Sequence, residues 1–375
     1  MQPRQLFQRH RRTAGRRLEE SPPPRRDFAL ASPQLTTSLL MNPSQAPSPV
    51  DEAREHSRTG LAALVNPLSF RMSLHDRASG TAELITRHGG RVFRVGNLAE
   101  IEAALEQAVD QPVDRLVIAG GDGTLQAVVS WLARHIRDDR AMPQLVLLCA
   151  GRTNYVAEDI GTQRHLMKTL ETILSTRPCQ LHPIDRPTLR LVHPSIGEQH
   201  GFFMAGAMVD EVIRHVHRWQ AERDNWLRRR HAASTVGVLS IGLRWALRRH
   251  RFELPRLRVE AEGLGSLDDN CRFLMLSSLN HDSSLVDPYA RRGEGPLRIT
   301  AIRSGAKRLP WRLPKVARGR FSAGMTQRNG YLSGRCRNIV INNISSITLD
   351  GQEFDLDRAH PLEISSGPVF RFLRP

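Results

Sequence analysis

The run Arg115-Leu116-Val117-Ile118-Ala119-Gly120-Gly121-Asp122-Gly123-Thr124-Leu125 places a glycine-rich turn between an apolar stretch and a helical period. Glycine lets backbone approach other atoms closely and accepts positive φ at no steric cost. A helix that starts at such a turn adds free N–H groups and the positive end of its dipole, which suits a phosphate. Asp122 can hold a magnesium ion there, directly or through water, or take a proton from an attacking hydroxyl. Gly120, Gly121 and Gly123 would give backbone room and donors, and Thr124 would bind phosphate at the helix start. No Gly-Lys-Ser/Thr follows and the spacing is not Gly-x-Gly-x-x-Gly, so two common nucleotide-binding patterns are excluded.

The elements around this turn alternate in type. Leu61–Val65 reads as a strand closing on Asn66-Pro67. Residues 72–88 read as a helix ended by Gly89-Gly90, and Val92–Val95 as a strand. Asn97 with Glu100 forms a capping pattern for a helix whose apolar side carries Leu98, Ile101, Leu105 and Ala108. Leu116–Ala119 and Leu145–Leu148 are further strands, with a helix over Leu125–Ile136 between them. Strand–helix alternation predicts an α/β domain with a parallel sheet covered by helices. Beyond about residue 180 the pattern changes to alternating strands: Leu189–Val192, Leu257–Glu260, Phe273–Ser277, Leu297–Ile302 and Ile339–Ile341. A helical block from about Val209 to Arg249 interrupts them. The expected domains are 1–58, a disordered basic tail; 59–180, a nucleotide-binding α/β domain; and 181–375, a β-rich, sandwich-like domain that presents the substrate and whose last residues return to the first.

Composition narrows the function class. The chain has 375 residues, with 54 Lys+Arg against 38 Asp+Glu and a net charge of +16, which favours anionic partners. No nucleic-acid-binding motif accompanies that charge, so a nucleic-acid partner is not expected. No apolar run reaches the ~18 residues that a membrane-spanning helix needs. Cys149, Cys179, Cys271 and Cys336 lie far apart, which argues against zinc and a disulfide scaffold and favours a reducing, cytoplasmic setting. The fifteen histidines suggest no metal site. The Arg-rich, Pro-rich first 58 residues read as a solvated tail. A targeting peptide, a nucleic-acid or lipid arm, and a start at Met41 are the other readings. The Trp- and Arg-rich block from Trp219 to Phe252 reads either as a basic amphipathic helix suited to an anionic bilayer or as a helix packed on its own domain.

Gly120-Gly121-Asp122-Gly123-Thr124 after a strand resembles the signature of the lipid kinases of the diacylglycerol kinase and sphingosine kinase type, relatives of the NAD kinases and 6-phosphofructokinases. Asn66-Pro67-Leu68-Ser69 resembles that family's opening Asn-Pro-x-Ser element. Gly151-Arg152-Thr153-Asn154-Tyr155-Val156-Ala157-Glu158-Asp159-Ile160-Gly161 resembles its second glycine loop. Phe202-Phe203 with Val209-Asp210, and Thr348-Leu349-Asp350-Gly351-Gln352, resemble later segments. The resemblance implies an ATP-binding α/β domain followed by a β-sandwich, and transfer of a γ-phosphoryl group from ATP, with Mg2+, to a diacylglycerol-like lipid hydroxyl at the inner face of a membrane. Asn66, Gly151, Arg152, Thr153 and Asn154 would line the nucleotide cleft.

Three positions depart from the family pattern. Arg152 stands where Thr is usual; a guanidinium can pair with phosphate or fill the space meant for nucleotide. Glu294-Gly295 stands where bacterial relatives carry an Asp-Gly that orders a structural magnesium, which makes Glu294 a metal candidate beside Asp122. Gln352 occupies the place of the Glu that bacterial diacylglycerol kinases use as general base, and an amide cannot take a proton. Either Asp122 then serves as base or turnover is reduced. A non-catalytic nucleotide- or lipid-binding protein and a NAD-kinase-like phosphotransferase are the alternatives. The latter lacks a recognisable Asn-Glu ribose pair here.

Overall fold

The structure, a computed structural model, describes residues 60–136, 141–151, 154–162, 165–177, 180–222, 254–280 and 287–375. The expected tail, Arg152, Thr153, Cys179, the side chain of Trp219 and the rest of its block from residue 223 to Phe252 lie outside the described residues.

The first part is a parallel sheet with helices. Its elements are β1 (Leu61–Val65), α1 (Arg77–Arg87), β2 (Arg91–Arg94), α2 (Leu98–Val109), β3 (Arg115–Gly120), α3 (Asp122–His135), β4 (Gln144–Cys149), α4 (Tyr155–Asp159) and α5 (Leu166–Ser175). The strands pair in the order β2-β1-β3-β4, all parallel. β1 is buried along its whole length, and β3 and β4 from their second residue on. Helices on both faces produce that pattern in a parallel sheet.

The expected elements are present, with three shifts. The first helix begins at Arg77 rather than 72, because residues 66–73 are held in turns: Ser69 N–H donates to the Asn66 carbonyl and Arg71 N–H to the Ala150 carbonyl at the end of β4. Asn97 caps α2 by accepting the Glu100 N–H at 2.9 Å, while the Glu100 carboxylate accepts the Gly96 N–H. Leu98, the first residue of that helix, stays 57% exposed, and the apolar stripe starts at Ile101. α3 starts at Asp122, three residues earlier than its apolar period, because Gly121 takes the extended N-cap conformation.

The second part is antiparallel. It comprises β5 (His182–His193), β6 (Gly197–Gly201), β7 (Phe203–Ala207), α6 (Met208–Glu222), β8 (Arg256–Ala261), β9 (Gly265–Ser277), β10 (Leu297–Arg303), α7 (Leu309–Val316), β11 (Tyr331–Cys336), β12 (Ile339–Asn342), β13 (Ser346–Leu349), β14 (Gln352–Asp355) and β15 (Leu362–Arg374). β9 joins two ladders, pairing with β8 at one end and with β7 and β10 at the other. β15 pairs antiparallel with β5 and β12, and at Phe372 it pairs parallel with Leu145 of β4. Phe370 and Phe372 are buried in the same apolar cluster as Leu116, Leu125 and Leu147. The described cysteines, Cys149, Cys271 and Cys336, are buried.

Candidate functional site

Three loops leave the carboxyl ends of neighbouring parallel strands, the usual place for a ligand in an open α/β sheet. Asn66 follows β1, Gly120-Gly121 ends β3, and Ala150-Gly151 follows β4. The register aligns Val65 with Ala119, and Gly120 with Cys149.

The glycines serve close approach rather than unusual φ. None of Gly120, Gly121 and Gly123 lies at positive φ. A Cβ on Gly120 would stand 2.6 Å from the Thr124 Cβ, and one on Gly151 would stand 2.9 Å from the Gly121 Cα. The two glycine loops therefore touch backbone to backbone. Gly151→Ala is expected to force them apart and to weaken nucleotide binding by an order of magnitude or more. Titration calorimetry reads this, and an unchanged affinity would show that loop spacing is not what the site uses.

Asn66 and Asn154 hold this arrangement. Asn66 N–H donates to the Ala119 carbonyl, and its side-chain Nδ2 donates to the Thr124 Oγ1 at 3.1 Å. Thr124 is buried and turned toward Asn66, so it braces the turn from beneath. Asn154 sits in the left-handed region at φ 50°. Its amide closes a reciprocal pair on Gly151, accepting from the Gly151 N–H and donating to the Gly151 carbonyl, each at 2.9 Å. Gly121, Asp122 and Gly123 remain partly open to solvent. Gly121 supplies no side chain to satisfy the first-turn N–H groups of the 14-residue α3. Those donors and the helix dipole fit an anionic phosphate.

Asp122 links the two loops, its Oδ2 accepting the Tyr155 N–H at 3.3 Å. Burial pushes its carboxyl up to about 6, against the pull of the Tyr155 N–H, with Glu158 adding to the rise. Among the described residues no cationic side chain figures with the groups that move it. A hard carboxylate in that setting suits a magnesium ion. Among the described residues there is no cluster of three or more His, Cys, Asp or Glu side chains that could hold a metal alone. Asp122 would therefore share such an ion with the phosphates. Glu294 is exposed on a different segment, between Gly293 and Gly295, which pack on the backbone carbonyls of Arg335 and Cys336. No contact joins it to Asp122 among the described residues.

The β-rich part reaches the same place. β13 and β14 form a hairpin whose two-residue turn, Asp350-Gly351, has φ 46° and 86°, the backbone that a tight Asp-Gly hairpin turn requires. Gln352 follows the turn and packs on Gly123 so closely that a Cβ there would lie 2.9 Å from its Nε2. Glu353 lies on the other side of the strand, where it accepts from the His217 Nδ1 at 2.8 Å. The hairpin is held from behind by Asp210, which accepts from Ser346 Oγ, Thr348 Oγ1 and Arg214 Nε. Arg214 in turn donates to the carbonyls of Ile347 and Phe354.

Asp350 is not singled out by sequence reasoning, yet it is the residue that docks the turn. Its carboxylate accepts the N–H groups of Phe202 at 2.7 Å and Phe203 at 2.9 Å, and its own N–H donates to the Phe203 carbonyl. Burial holds its carboxyl well above the usual range, partly offset by the Phe202 N–H, and the Asp122 charge adds to the rise. The Asp-Gly pair signals the turn in sequence; its docking partners, about 150 residues away, have no local signal.

The α/β sheet thus opens its glycine-rich loops onto the hairpin of the antiparallel part. Residues 60–184 match the family model of the diacylglycerol kinase catalytic domain. A crystal structure of a diacylglycerol kinase from Bacillus anthracis str. Sterne has a TM-score of 0.55 at 12% identity and covers 84% of this chain and 97% of its own. Two further structures from the same organism, assigned to the same kinase class, give 0.60 and 0.59 at 13% identity with the same coverage. At that identity the likeness shows a shared fold. No curated protein sequence matches the chain significantly. No helix among the described residues is long and apolar enough to cross a membrane.

Proposed function

We propose that the protein transfers the γ-phosphoryl group of ATP to the hydroxyl of a diacylglycerol-like lipid, between a nucleotide-binding part (59–180) and a substrate-presenting part (181–375). The observation that carries this reading is the meeting of Gly121, Gly151 and Gln352 around the half-open N-terminus of α3. The first-turn N–H groups bind phosphate, Asn66 and Asn154 fix the loops, and the Asp350 turn closes one side. Asp122 would hold magnesium, which when bound supplies charge neutralisation between the phosphates. The lipid oxygen attacks the γ-phosphorus, its proton passes to the Asp122 carboxylate, and the bond to the β-phosphate bridging oxygen breaks to release ADP.

Asp122 thus carries the proton duty, because the Gln352 amide cannot take a proton. Gln352→Glu is expected to raise kcat about tenfold or more, within the range general base catalysis contributes, with little change in KM for ATP. Labelled ATP with mixed lipid vesicles tests the whole reading: labelled lipid is expected from the parent and not from Asp122→Asn. Absence of product from both the parent and Gln352→Glu would overturn it. Gln352 favours one second reading, a nucleotide-binding protein without turnover, which calorimetric binding of ATP with no product would identify.

A further inference from the structure

The sequence contains no Asp or Glu between Gly295 and Leu349, while the same 55-residue stretch carries eleven Arg and Lys, including two of the three lysines in the chain. Two of those cations are neutralised within the fold: Arg298 pairs with Asp287 at 2.6 Å, and Arg303 with Asp269 at 3.3 Å. Arg312 is also internal in role, donating to the carbonyls of Lys307 and Gly324 and lying 5.4 Å from the Tyr331 ring. Lys307, Arg308, Lys315, Arg318, Arg320 and Arg328 are exposed and take part in no ion pair among the described residues.

Most of these cations surround one helix. α7 turns Leu309 and Val316 inward, where they are buried in the cluster of Met208, Val212 and Tyr331. Its other face carries Trp311, 85% exposed and the most exposed large apolar side chain among the described residues. Trp311 and Lys315 are four residues apart and so share that outer face. Beside them a cleft of about 350 Å³ is lined by Pro314, Lys315, Arg318, Arg320, Phe321 and Ser322, two apolar walls among three cations.

A solvent-facing Trp costs free energy unless something covers it, and uncompensated cations of one sign repel each other. An anionic bilayer answers both at once: the ring enters the interface, the cations meet lipid phosphates, and the cleft takes a headgroup. Water alone answers neither. We infer that α7 and the following 317–322 segment form a docking surface for an anionic phospholipid bilayer, with Trp311 inserting and Lys315, Arg318 and Arg320 holding headgroups. This surface is separate from the Trp219–Phe252 block and stands on the charge and exposure of α7 alone, whether or not the protein transfers phosphoryl groups.

Flotation of the full chain with vesicles, without nucleotide, tests it. Vesicles of phosphatidylglycerol and phosphatidylcholine are expected to carry the protein upward, vesicles of phosphatidylcholine alone are not, and raised salt is expected to weaken the association. Trp311→Ala, and separately Lys315→Gln with Arg318→Gln and Arg320→Gln, are each expected to lower partitioning tenfold or more, with unfolding temperatures unchanged because the side chains are exposed. A blue shift of tryptophan fluorescence on vesicle addition is expected to diminish in Trp311→Ala. Equal flotation of parent and both variants would overturn the proposal, because it would place binding elsewhere in the chain. Equal flotation on neutral vesicles, or retention on single-stranded nucleic acid with no vesicle binding, would overturn it as well.

Discussion

Asp122→Asn is expected to lower phosphoryl transfer by about 10²- to 10⁴-fold, the range that general acid–base groups contribute, while raising the thermal stability of the nucleotide-free protein. The two effects have one origin. Burial lifts the Asp122 carboxyl to about 6. The folded protein therefore holds this proton more tightly than the unfolded chain, where the pKa is about 3.9. Stability from this group is present below that value and is lost as pH rises through about 6, so at pH 7.5 the carboxylate destabilises the fold. Because the side chain is partly open to solvent, we expect about 1–2 kcal/mol rather than the full linkage value. That corresponds to a few degrees in Tm for a chain of this size. The asparagine oxygen still accepts the Tyr155 N–H, so the loop junction persists. Calorimetric scans at pH 7.5 and pH 5 check the reasoning: the gap between parent and variant should narrow at the lower pH. A variant less stable than the parent at pH 7.5 would show that Asp122 serves the fold rather than the reaction.

Asp350→Ala is expected to be the most damaging substitution away from the apolar cores. It leaves the N–H groups of Phe202 and Phe203 without acceptors in a buried place. Each orphaned donor costs about 1–3 kcal/mol, and relief of a buried carboxylate returns part of that, for a net loss of about 2–4 kcal/mol. The Asp-Gly turn would also lose its anchor to the β6–β7 junction, and Gln352 would leave Gly123. Activity is therefore expected to fall further than stability alone explains. Denaturant unfolding of Asp350→Ala beside Asp350→Asn, which keeps one acceptor oxygen, measures the cost. Equal midpoints for the alanine variant and the parent would remove the docking role assigned here.

Both residues show where local sequence patterns are informative and where they stop. The parallel sheet was legible because β1, β3 and β4 are short continuous apolar runs, and a strand buried on both faces leaves little else as a reading. The Asn97–Glu100 cap was legible because its bonds span three residues. The glycine turn was legible as a phosphate-type turn, but not the reason for its glycines. Positive φ is a local property, and none of these glycines uses it. The contact of Gly151 with Gly121, and of Gln352 with Gly123, joins segments about 30 and 230 residues apart.

The sequence by itself determined the strand–helix alternation as far as β4, the glycine turn with its carboxylate, and the absence of acidic residues from 295 to 349, because each is written in neighbouring side chains or simple composition. Only the tertiary structure decided that Thr124 braces the turn from beneath, that Asp350 anchors the hairpin, and that Trp311 faces outward. Those outcomes depend on which distant backbone donors come to lie within hydrogen-bonding reach and which side chains the core has room to bury, and both are settled only when the sheets pack.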